Sequence, residues 1–466
     1  MIDTGRSEEV RPGPGLLPPV PGSRRGRRIA AVVVLALLLF GVGGLGLWTG
    51  HGSSTGPAEA RLPGDRGSSL AAHPAVIAGS LHEEIAGLQV RLDAISQDWR
   101  SWATLGLAYV QEARVTADPR FYPRAQGALA RSLSIHPHGN FEASTGEGAL
   151  ALARHDFAGA LTWGRKARAI NPYNGNIYGV IGDALVELGR YREAFATFQH
   201  MVDLRPDLSS YARASYALEL QGDVPAATRA MKLALGAAGT PEDQAFAAFY
   251  LGELYFNSGR VDRAAFYYRR GAQLAPDYIP PKAGLAKVAW ARGDLTDAIQ
   301  RYEHIVGRYP LPEYVIALGD LYTRAGDPRR AAREYALVHV EERLFQAAGV
   351  NVDLELSLFE ADHGDPAAAL RAARDEWARR HSILVADALG WALHRAGRDR
   401  EAMPYARFAE KLGYHSALIH FHAGMIELSL GHRAAGLAEL RRARAINPHF
   451  SIRYAPVALR LLGAAK

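Results

Sequence analysis

The stretch YHSALIHFH, residues 414–422, is the densest group of histidines in a chain that carries 17 of them. Imidazole nitrogens bind zinc, copper, nickel or iron, so His415, His420 and His422 are the first candidates for metal chemistry. Their spacing argues against one shared ion. At about 3.6 residues per turn, helix positions two apart point roughly 200° from each other, which sends His420 and His422 to opposite sides. His415 falls in the loop before that helix. No H-E-x-x-H motif occurs, and no acid follows any of the three at the fourth position. The pattern supports packing or surface histidines, with no metal and no cofactor.

Other chemistry is excluded by what is missing. The chain has no cysteine, which removes disulfides, thiol catalysis, iron–sulfur ligation and thiolate zinc sites. No G-x-x-x-x-G-K-[ST] phosphate loop occurs. The letters G-x-G-x-x-G appear as GVGGLG (41–46), but inside an apolar run rather than between a strand and a helix. The net charge of +6 is spread thinly over 466 residues, too diffuse for a nucleic-acid footprint. With 48% apolar residues the chain can bury a large core.

The elements that would carry any site begin after an unusual N-terminus. Residues 1–28 are rich in Pro and Gly and end in Arg24, Arg25, Arg27 and Arg28, which predicts a disordered tail. Residues 29–48, IAAVVVLALLLFGVGGLGLW, carry no charge and match a hydrocarbon thickness of about 30 Å. They predict a single transmembrane helix, with Trp48 at the far interface. The preceding arginines place the tail in the cytoplasm and the rest of the chain outside it, at the cell membrane. A cleaved secretory signal ending at Ala60 is the rival reading, and it exports the same residues. Residues 49–75 read as a flexible tether. Apolar residues at Ile77, Leu81, Ile85, Leu88, Leu92 and Ile95 then predict an amphipathic capping helix over 76–98.

Beyond that point a glycine keeps returning. Gly189, Gly222, Gly259, Gly293, Gly326, Gly364, Gly397 and Gly431 follow one another at a nearly constant interval. Such a period marks an array of supersecondary units. Each glycine should end one helix in a left-handed turn, with an antiparallel helix following at once. Seven positions upstream stands a small residue: Gly182, Ser215, Gly252, Ala286, Gly319, Ser357, Gly390, Gly424. Five positions downstream stands another: Ala194, Ala227, Ala264, Ala298, Ala331, Ala369, Ala402, Gly436. Small residues on facing helices let the axes approach and larger neighbours interlock.

A unit such as IYGVIGDALVELGRYREAFATFQHMVDLRP (177–206) resembles the tetratricopeptide repeat, TPR. FYLGELYFNSGRVDRAAFYYRRGAQLAP (249–276) is nearly as good a copy, and weaker copies cover 99–140 and 141–174. The resemblance implies an all-α fold: an α-solenoid of about ten helix-turn-helix units over 99–450, wound into a right-handed superhelix. A C-terminal capping helix is expected over 451–466. The resemblance also implies a concave face, lined by the first helix of each pair, that holds a segment of another protein.

Helical register picks out the residues of that face. They are Asp183, Tyr216, Glu219, Phe246, Phe249, Glu253, Phe256, Lys287, Trp290, Asp320, Asp387, Trp391, Phe421 and Met425. Exposed aromatics there would mark a binding site; a tight superhelix would instead cover them with the adjacent turn. The acids favour a basic or neutral partner. The expected function is a non-enzymatic, membrane-tethered interaction scaffold for a protein or peptide ligand. An assembly factor or chaperone for exported proteins, similar to cytochrome c maturation proteins, is the alternative.

Overall fold

The computed structural model describes residues 81–116 and 118–464. Among them are 22 α-helices and no strand. Helix α1 spans Leu81–Ala94. Ten consecutive pairs follow: α2 (Trp99–Thr116) with α3 (Phe121–Ile135), α4 (Phe141–Ala153) with α5 (Phe157–Ile170), and α6 (Gly175–Glu187) with α7 (Tyr191–Leu204). Next come α8 (Leu208–Leu220) with α9 (Val224–Ala237), α10 (Pro241–Asn257) with α11 (Val261–Leu274), and α12 (Pro280–Ala291) with α13 (Leu295–Val306). The last four pairs are α14 (Pro312–Arg324) with α15 (Pro328–Ala347), α16 (Asp353–His363) with α17 (Pro366–Arg379), α18 (Ile383–Arg395) with α19 (Asp399–Ala409), and α20 (Ala417–Ser429) with α21 (Arg433–Ile446). Helix α22, Ala455–Gly463, ends the described chain.

The recurring glycine does what its period predicts at seven of eight positions. Gly189 has φ +74°, and the next amide, Arg190 N–H, donates to Leu185 O at 2.8 Å. That bond closes a left-handed cap which a side chain would strain. Asp223, Asp294 and Asp327 then cap the following helices by accepting the third backbone N–H, at 2.9 to 3.0 Å. Gly364 is the exception, with φ −125°. There the Glu360 carboxylate accepts Asp365 N–H at 2.7 Å and shapes the turn instead. In the second pair His155 takes the left-handed position, φ +59°, without being glycine.

The small positions let the helices nest. A methyl group on Gly182 would overlap the Phe198 ring; on Gly252, the Tyr268 ring; on Gly319, the Tyr335 ring. In the fourth pair Ser215 Oγ donates to Ala227 O at 2.8 Å, so the two small positions of one unit touch.

The array then turns back onto itself. The turn of the second pair meets the loop entering α16, where Asn351 N–H donates to Arg154 O at 3.0 Å. The turn of the third meets the loop entering α18: Ile383 N–H donates to the Tyr191 hydroxyl at 2.8 Å, 192 residues away. A methyl group on Gly222, in the fourth turn, would overlap the Gly413 carbonyl before α20. The turn of the fifth reaches the segment before α22, where Asn447 Nδ2 donates to Phe256 O at 3.0 Å, 191 residues away. Each of these units therefore rests on the chain about six units later. Successive turns of the solenoid touch, the later units lying against the turns of the earlier ones.

The wider interval between Gly326 and Gly364 has its own cause. Helix α15 runs for 20 residues, and Ala348, Val350 and Val352 beyond it join the core of the first two pairs. Helix α1 adds Ile85 and Leu92 to that core, and α22 adds Ala455 and Ala458 to the core of the last pairs. The expected tail (1–28), membrane span (29–48) and tether (49–75) lie outside the described residues, as do 76–80 and 465–466. None of the described helices is long and apolar enough to cross a membrane.

Candidate functional site: the inner wall

The fourteen residues picked out by register lie on the first helices of the pairs, and none is exposed. Asp183, Tyr216, Phe246, Phe249, Glu253, Phe256, Asp387, Trp391 and Phe421 are buried. Glu219, Lys287, Trp290, Asp320 and Met425 are half-buried. The aromatics therefore do not form an open apolar groove. Phe246, Phe249 and Phe256 pack with Tyr250 and Tyr268 in one core. Trp391 and Phe421 pack with Tyr454 in another, Phe421 stacking on Tyr454 at 4.7 Å between ring centres.

The polar members join neighbouring helices. The Asp183 carboxylate accepts Nε and Nη2 of Arg213 at 2.8 and 2.7 Å, linking α6 to α8. Glu253 Oε1 accepts from Lys287 Nζ and the Tyr268 hydroxyl, both at 2.5 Å, the lysine linking α10 to α12. Asp320 accepts the Tyr335 hydroxyl at 2.9 Å and lies 3.5 Å from His363 Nε2. Asp387 faces His422 Nδ1 with both carboxylate oxygens at 3.0 Å, linking α18 to α20. Register alone could place these residues on one face, but it could not reveal partners in the next repeat.

Burial dominates the electrostatics. It pushes Glu219 up to about 8, with the Glu253 charge adding to the effect. Glu313 and Glu355, in the first turns of α14 and α16, each rise to about 7 because they are buried, and Glu355 adds to the rise at Glu313. Asp320 rises to about 7 by burial, against the pull of the Tyr335 hydrogen bond and of Arg453. Four buried atoms of this region have no hydrogen-bond partner among the described residues: Glu253 Oε2, Tyr278 Oη, Glu313 Oε1 and Glu355 Oε2. Burying such atoms without partners costs about 1–3 kcal/mol each.

Family models match three segments of the described array: residues 245–278, 284–344 and 175–208, each as a tetratricopeptide repeat. These segments are tetratricopeptide repeats. The repeat is a module of protein–protein interaction, and the remaining pairs continue the same helical solenoid. No curated protein matches the chain. Among solved structures, the Cut9 and Hcn1 hetero-tetramer of the APC/C is similar at TM-score 0.45 and 15% identity, over 83% of this chain and 76% of that one. The human IFIT1 dimer with PPP-AAAA follows at TM-score 0.42 and 16% identity, over 78% of this chain and 87% of that one. A thermophilic TPR protein of Thermus thermophilus has TM-score 0.34 and 20% identity, over 46% of this chain and 99% of that one.

The repeats also assemble a group that the histidine spacing concealed. Glu410 ends the ninth unit, while His420 and Glu439 stand on the two helices of the tenth. One ligand atom from each lies within 4.8 Å of the other two. His422, two positions from His420, points instead at Asp387 and stacks on Trp391 at 4.1 Å. The two histidines do face different ways, as the helix period requires, but His420 finds its acids on other helices.

Proposed function

We propose that the chain is a non-enzymatic interaction scaffold whose repeats hold a basic segment of another polypeptide at the inner wall. One observation carries this reading: Glu253, Glu313 and Glu355 each keep a buried carboxylate oxygen without a donor among the described residues. A partner bringing Lys, Arg or main-chain N–H groups would supply the missing donors. It would also let Glu313 and Glu355 ionise at neutral pH. The half-buried Glu219, Lys287, Trp290, Asp320 and Met425 are the register residues that such a segment would reach. The uncharged run 29–48 supports a membrane tether, with the repeats on the extracytoplasmic side.

Fluorescence anisotropy with short labelled peptides of basic, neutral and acidic composition tests the binding reading on the full chain in detergent. The basic peptides should bind, more weakly as salt rises, and about tenfold more weakly to a Glu313→Gln, Glu355→Gln double variant. Equal binding of acidic and basic peptides, or unchanged affinity in the variant, would overturn it. Carbonate extraction and protease accessibility of the repeats in whole cells test the tether.

A further inference from the structure

We infer that Glu410, His420 and Glu439 form a binding site for a divalent transition-metal ion of the zinc class. His420 is 7% exposed. Its Nδ1 lies 2.8 Å from Glu410 Oε1 and 2.7 Å from Glu439 Oε2. A single N–H cannot serve both oxygens well. Glu439 has a second donor, Arg442 Nη1 at 3.1 Å. Glu410 Oε1 has no second donor: it is buried, and its one polar neighbour among the described residues is His420 Nδ1, an ion-pair contact without hydrogen-bond geometry. Two carboxylates converge on one imidazole nitrogen, so the three residues carry a net negative charge even with His420 protonated, which Arg442 offsets only from the far side of Glu439. A divalent ion in place of that proton matches the two carboxylate charges and gives Glu410 Oε1 a properly directed partner.

The donor set selects the metal. One imidazole nitrogen and two carboxylate oxygens suit zinc, cobalt, nickel or manganese. The nitrogen disfavours calcium and magnesium, which prefer oxygen alone. Three protein ligands leave at least one position for water. The ligands come from the end of α19 and from α20 and α21, and the intervening loop holds Gly413, whose carbonyl meets the turn at Gly222. Binding therefore pins the loop that joins the later units to the earlier ones.

The test uses the full chain stripped with a chelator and then titrated with ZnSO4, read by calorimetry and by metal content after dialysis. One equivalent should bind and raise the melting temperature. His420→Ala should abolish the site, and Glu410→Gln or Glu439→Gln should weaken it about 100-fold or more. His432→Ala removes an exposed histidine that faces Glu427 at 2.5 Å and should change nothing. Circular dichroism of the metal-free variants separates lost binding from lost folding, and the glutamine variants keep the shape of the side chain. No binding by the stripped protein overturns the inference. So does zinc uptake that survives both glutamine changes, or that falls equally in the His432 variant.

Discussion

The Tyr191 hydroxyl, at the start of one unit's second helix, accepts the main-chain N–H of Ile383 six units later at 2.8 Å. Both residues are buried. A side chain of one unit thus supplies the acceptor for a helix-terminal donor on a distant part of the array.

Tyr191→Phe keeps the ring and removes that acceptor. Ile383 N–H is then left buried and unpaired, a loss of about 1–3 kcal/mol. Urea denaturation should show the loss, and hydrogen exchange should show faster opening at the start of α18. Unchanged protection there would mean that the contact between units is not formed in solution.

Gly189 and Gly222 should tolerate alanine worse than Gly293 or Gly326, although all four have positive φ. A methyl group at 293 or 326 meets nothing within 4 Å, so only the left-handed backbone is strained, by about 1–2 kcal/mol. At 189 and 222 it meets backbone of the later units, His381 and Gly413. That overlap should add about 1–3 kcal/mol. Melting temperatures of the four single variants decide the order.

Arg380 is 3% exposed and lies between Glu187 of the third unit and Glu376 of its own. Both carboxylates are buried. Arg380→Met leaves Glu187 without a cation and Glu376 with Arg379 alone, which costs about 3–5 kcal/mol. Adding Glu187→Gln and Glu376→Gln should recover much of the loss. A single variant as stable as the parent would show that the pair is hydrated rather than buried.

Stability should fall as pH rises from about 6.5 to about 8. Glu219, at about 8, and Glu313 and Glu355, at about 7, all hold their protons above the ordinary value of 4.5. In that window the native chain therefore binds more protons than the unfolded one, and raising the pH favours unfolding. His155, lowered by burial to about 4, and His363, lowered to about 3, act in the opposite sense, but only below their ordinary value of 6.5. Melting temperatures across the window should decline in the parent and decline less steeply in a Glu219→Gln, Glu313→Gln, Glu355→Gln variant, where Asp320, raised to about 7, still titrates. A parallel decline in both would assign the effect to other groups.

The sequence by itself determined the repeating unit. The glycine period, the small residues seven before and five after it, and the aspartates that cap the next helix are local devices. Each acts through backbone geometry or packing within one hairpin, so linear spacing carries it. Gly364 keeps its place in the series but not the left-handed turn, because the Glu360 side chain shapes it, and His155 holds the turn position of its weaker copy without being glycine. Only the tertiary structure decided how units far apart in the chain sit against one another. Helix register put Phe249, Trp391 and Phe421 on one face, but whether that face stays open depends on small rotations accumulated over six units, which no single repeat encodes. The same holds for Glu410, His420 and Glu439, which come together in one site because two units pack at a particular angle.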